Sequence, residues 1–107
     1  MEFDVDAILN DMVLAVRKSV QKDYEEAETI TELFVQANKA RYKKLAEYRF
    51  SGKIDEQSFK SRLQDEKLML EAQFNTLSIF TKVMAQNAAN AVIDVLEKAI
   101  LSGLKII

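Results

Sequence analysis

The chain has 107 residues, 49% apolar and 30% charged, a balance that fits one folded domain rather than a disordered segment. Its 15 basic residues oppose 17 acidic ones, and a net charge of −2 gives no global attraction to polyanions or membranes. Cysteine and histidine are both absent, which excludes disulfides, thiol nucleophiles, imidazole acid–base chemistry and zinc sites of the usual kind.

The N-terminus, Met1-Glu2-Phe3-Asp4-Val5-Asp6, is acidic, whereas a cleavable export signal opens basic and then runs apolar. The expected location is therefore the cytoplasm, with export lacking a cleavable signal as the alternative. Asp4 or Asp6 can N-cap a first helix. From there Val5, Ile8, Met12, Val16, Val20, Ala27, Ile30, Phe34, Ala37, Leu45 and Tyr48 recur at helical spacing. No proline occurs, and the glycines are Gly52 and Gly103. The reading is an all-α chain built as one long antiparallel hairpin. Its first helix covers about residues 5–50, the turn 51–54, the second helix about 55–102 and a short tail 103–107. Each arm would be about 70 Å long.

The turn at Ser51-Gly52-Lys53 is well specified. Gly52 suits the left-handed position that closes a helix, and Asp55 is an N-cap for the next one. Ile54 and Phe59 flank that cap as a hydrophobic staple. The second arm places Phe59, Leu63, Leu70, Phe74, Leu77, Phe80, Met84, Ala88, Val92, Val95 or Leu96, and Ala99 on one side. Folding the chain at Gly52 sets Asp23 opposite Lys82 and brings Arg41 within about a turn of Glu66. Those two pairs would fix the register, as polar residues do in coiled coils. The run Ala72–Ile93 carries only Lys82 as a charge, but its amides argue against a membrane span.

The open end of the hairpin is too apolar for one partner helix to cover. Ile8, Met12, Val16, Ala88, Val92, Val95, Leu96 and Ile100 are the expected assembly surface, shared with another copy in a four-helix or larger bundle. The expected function is accordingly a non-enzymatic structural or scaffold protein that self-associates, with helices of other proteins as possible partners. Glu25, Glu28 and Glu32 share a helix face, but without histidine they read as a solvated acidic surface, so no metal or cofactor is expected. No phosphate loop, nucleophile elbow or activated serine or lysine occurs, so no catalytic residue is named. A basic and aromatic tip (Lys39, Arg41, Lys43, Lys44, Arg49, Lys53, Lys60 and Arg62 with Tyr42, Tyr48, Phe50 and Phe59) offers nucleic acid as an alternative partner, diluted by nearby acids. The amphipathic end Val92–Ile107 offers a membrane surface as another, although its charges balance.

Three resemblances accompany this reading. Phe50-Ser51-Gly52 between two helices resembles the Trp-x-Gly family of secreted helical hairpins, which implies dimeric four-helix bundles and dedicated export. Here phenylalanine stands for tryptophan, and no tyrosine follows Tyr48 to supply that family's export signal. The aliphatic ending Ile100-Leu101-Ser102-Gly103-Leu104-Lys105-Ile106-Ile107 on a hairpin is similar to type III secretion needle subunits, which implies a filament. Leu45 through Phe59 looks like the short helix-turn-helix module at many bacterial C-termini, a pattern made mostly of capping chemistry. None of the three covers enough of the chain to assign a family.

Overall fold

The computed structural model describes residues 3–21 and 25–106. Among them the chain is all-α and forms five helices, α1 (Asp6–Val20), α2 (Glu25–Ala37), α3 (Lys39–Phe50), α4 (Glu56–Phe74) and α5 (Lys82–Ile106). The reversal at Ser51–Lys53 stands where the sequence places it. The two arms, however, are not continuous, because arms of about 70 Å do not fit a molecule of 41 × 24 × 21 Å.

The first arm folds back after α1. Gln21 takes the left-handed conformation at φ 55° and stops the helix without any glycine. α2 then runs antiparallel to α1, held by Arg17–Glu28 at 2.6 Å and by Asp6, which accepts from Gln36 at 3.2 Å and pairs with Lys39. A side chain with Cβ costs about 1–2 kcal/mol in that backbone region. Gln21→Gly should therefore stabilise the protein by about 0.5–1 kcal/mol after the extra freedom of unfolded glycine is subtracted, read as a higher urea midpoint.

α2 and α3 follow one another with a hitch at Asn38. Its side-chain amide donates to the Phe34 carbonyl at 2.8 Å, the same oxygen its backbone N–H reaches at 3.1 Å. Back-bonding of this kind disturbs a helix without reversing it. Glu25–Phe50 at the helical rise is about 39 Å long, which accounts for the long axis of the molecule.

Chemistry at the central turn follows the capping logic. Gly52 has φ 76°, and Lys53 N–H and Gly52 N–H donate to the Tyr48 and Arg49 carbonyls at 2.9 and 3.3 Å, the two bonds of a Schellman closure. Asp55 caps α4 by accepting from Ser58 N–H at 2.7 Å. Phe59, four residues on, is fully buried, and Ile54 packs on the same core.

The second arm breaks at 75–81. Thr76 Oγ1 donates to the Gln73 carbonyl at 2.7 Å, and Thr81 Oγ1 accepts from Met84 N–H at 3.1 Å to start α5. Short polar side chains thus compete with the helical ladder at both ends of this connection. Phe74 and Phe80 close it by stacking, with centroids 5.6 Å apart. Gly103, expected to end the second helix, instead lies buried inside α5, which continues to Ile106. A mid-helix glycine costs only about 1 kcal/mol, too little by itself to end a helix.

The result is an up-down-up-down bundle of α1, the α2/α3 rod, α4 and α5, completed within a single chain. α5 packs most extensively on α1 and then on α4. Its alanines at 85, 88 and 89 are buried and permit that close approach. Fully buried Tyr42, Phe59, Phe74, Met12, Leu70, Ile93, Leu96 and Ile100 form the bulk of the core. Thr31, also buried, satisfies its hydroxyl on the Ala27 carbonyl at 2.9 Å.

Two exposed carboxylates couple this fold to pH. Hydrogen bonds from Lys39 and Gln36 hold Asp6 below the usual carboxylate range, and the Ser58 backbone N–H does the same for Asp55. A depressed folded pKa means that the contribution is present above the unfolded value of about 3.9 and is lost as pH falls through the folded one. Melting temperature should therefore drop as pH falls below about 4. An Asp6→Asn, Asp55→Asn variant should show a flatter acid limb, because asparagine does not titrate and at position 55 still caps α4.

Candidate interaction surface

The residues expected to form an assembly surface occupy two environments. Met12, Val16, Ala88, Val92, Leu96 and Ile100 are buried in the chain's own core. Their partner is the other terminal helix, because the break after Val20 and the one at 75–81 supply the third and fourth rods that a bare hairpin lacks. Ile8 and Val95 remain partly open, where Leu14, Ala15, Ala99 and Ser102 line a shallow groove between α1 and α5 with Asp11, Lys18 and Lys98 around it.

Of the register pairs, Asp23 lies outside the described residues, and Lys82 is an exposed residue at the start of α5. Arg41 and Glu66 do meet. Arg41 Nε donates to Glu66 Oε1 at 2.6 Å and its terminal nitrogen to Oε2 at 2.8 Å, a bidentate pair. Tyr42 adds a third bond, its hydroxyl donating to Oε2 at 3.0 Å. Glu66 is only 5% exposed, so these three donors replace the water it has lost. The bond to Glu66 raises the guanidinium pKa further. Burial first, then the neighbouring carboxylate charge, pushes the Tyr42 hydroxyl well above the ordinary tyrosine range. Tyr42 escaped the sequence reading because it sits beside the charged residue and reads as tip packing. Its position one residue from Arg41 was the available signal.

Arg41 and Glu66 line a cleft of about 290 Å³ between α3 and α4 together with Lys44, Leu45, Tyr48, Arg62, Asp65 and Met69. One turn along the same seam, Ile30, Leu33, Phe34 and Ala37 of α2 face Gln73 of α4 across an apolar depression. A third hollow continues to Glu25, Glu26, Thr29 and Leu77. These three hollows follow one another along the α2/α3–α4 seam, which is packed more sparsely than the faces of α1 and α4 against α5. Leu33 is 66% exposed beside it and Met69 42%. Sequence periodicity placed Ile30, Phe34 and Ala37 on the inward stripe and passed over Leu33. The doublet Leu33-Phe34 and the run Leu68-Met69-Leu70 were the signs that the apolar surface is wider than one seam requires.

The basic tip is largely occupied by its own aromatic residues. Lys53 Nζ lies 5.3 Å from the Tyr48 ring centroid and the Arg49 guanidinium 6.0 Å from that of Phe59. Tyr42 and Phe59 are buried and present no ring to a base. Among the described residues no cluster of acidic side chains could hold a metal ion, and no helix is long and apolar enough to cross a membrane. Comparison of the chain with protein-family models, with curated proteins and with solved structures found no match.

Proposed function

We propose that this protein is a non-enzymatic interaction module, a structural or scaffold component that works by docking a helical protein partner along the α2/α3–α4 seam. The observation that carries this reading is the exposure of Leu33 beside the apolar depression of Ile30, Phe34 and Ala37, with Met69 exposed at the adjoining polar cleft. Large apolar side chains left in water beside a groove mark an interaction surface. The charged groups in the seam support binding rather than chemistry, since both oxygens of Glu66 are engaged by Arg41 and Tyr42. The basic tip, with its rings buried or covered by cations, favours protein over nucleic acid.

Site-specific photo-crosslinking in the producing cell tests this. A crosslinking residue at position 33 or 69 should give a discrete protein adduct, and one at the exposed position 57 on α4 should not. Equal labelling at all three positions, or none at 33 and 69, overturns the reading.

A further inference from the structure

The occupant of the seam can be argued from its charge order, an argument that rests on the docking role just proposed. Along the α2/α3 rod, residues Glu26, Ile30, Leu33, Ala37, Arg41 and Lys44 follow one another at helical spacing on the side that borders the groove. The strip is acidic at one end, apolar in the middle and basic at the other. Across the seam the basic end carries Arg62 and the exposed Asp65, and the acidic end is reinforced by Glu25. Glu25, Glu26, Lys44 and Arg62 form no ion pair among the described residues, so these charges are not cancelled internally as Arg41 and Glu66 are.

A surface ordered in this way is complementary to itself when turned end for end. A twofold axis midway between Leu33 and Ala37 places each copy's Glu25 and Glu26 over the partner's Lys44 and Arg62, and Leu33 of one copy beside Ala37 of the other. The small side chain of Ala37 at the crossing lets the rods approach. Such an isologous arrangement repeats every favourable contact twice, whereas a parallel arrangement would set acid against acid and base against base. Glu26 to Lys44 spans about 27 Å of helix, enough to fix both orientation and register. We infer that the partner on this seam is a second copy of the same chain, packed antiparallel through the α2/α3 rods.

Charge reversal tests the inference in solution. The wild type should have twice the monomer mass by sedimentation at tens of micromolar. Glu25→Lys with Glu26→Lys, and separately Lys44→Glu with Arg62→Glu, should each weaken dimerisation by about tenfold or more. An equimolar mixture of the two variants should restore a one-to-one dimer. All four positions are exposed, and circular dichroism checks that each variant remains helical. A monomeric wild type, or variants that dimerise as tightly as wild type, overturns the antiparallel dimer. If the wild type is monomeric while position 33 still crosslinks to a different protein in cells, the dimer fails and the docking surface stands. If position 33 crosslinks to nothing and the wild type is monomeric, both fail.

Discussion

Replacing Leu96 with aspartate should unfold the isolated chain rather than dissociate an assembly. Leu96 is fully buried in α5 among the residues that pack against α1 and α4, and an ionised carboxylate there would have no partner. The milder Leu96→Ala isolates the packing contribution, expected at about 2–5 kcal/mol for a buried leucine. A small domain has about 5–15 kcal/mol of total stability, so the alanine variant should melt far below wild type while keeping its mass at low concentration. Urea denaturation followed by circular dichroism gives the difference directly. A Leu96→Asp protein with wild-type helicity and midpoint would mean that α5 turns another face to the core.

The second large effect is expected at the Arg41–Glu66–Tyr42 network. Arg41→Met removes two of the three donors to a carboxylate that is almost wholly buried. Breaking a buried pair from one side costs about 3–5 kcal/mol. The half-exposed position of Arg41 lets water replace part of the lost bonding, so about 2–4 kcal/mol is expected here. Tyr42→Phe removes one hydrogen bond to a charged group and should cost about 1.5–3 kcal/mol. Removing all three polar partners together, as Arg41→Met, Tyr42→Phe and Glu66→Leu, should recover much of the loss, because no unsatisfied group remains. A double-mutant cycle on Arg41 and Glu66 that returned no coupling would show the pair to be a surface contact of little worth.

These predictions bear on the alternative partners as well. A nucleic-acid interface at the tip would make binding steeply salt-dependent and sensitive to neutralising Lys43, Lys44 and Arg49. The antiparallel dimer also weakens with salt through the Glu25–Glu26 and Lys44–Arg62 contacts, but its apolar centre at Leu33 and Ala37 retains its attraction when charges are screened. Salt dependence together with the Leu33→Asp variant therefore separates a polyanion from a second copy.

Local chemistry was legible from the sequence wherever a residue's own backbone preference decides the outcome. The all-α class followed from apolar spacing, and the reversal at Gly52 followed from the left-handed glycine, the Asp55 cap and buried Phe59. The other interruptions were not legible, because each is made of ordinary helix-tolerant residues. Gln21 adopts φ 55° against its own preference, which is sustained only because α2 can then pack back onto α1 through Glu28 and Asp6. Asn75 through Thr81 could have continued a helix, and the stacking of Phe74 on Phe80 holds the alternative. The same limit applies to the candidate surface. Apolar excess at the termini was evident, but sequence periodicity cannot say whether such a face meets another copy or another part of its own chain. Tertiary folding decided that Val92, Leu96 and Ile100 are core, and it left exposed apolar side chains at Leu33, Leu68, Met69, Ile79 and Val83 instead. The physical reason is economy of burial: two extra reversals cost the backbone entropy of a few residues and bury the terminal helices' apolar faces within one molecule. What the sequence determined alone was helix content, the central turn and the charge order of each helix; which of those helices would be neighbours depended on the packing.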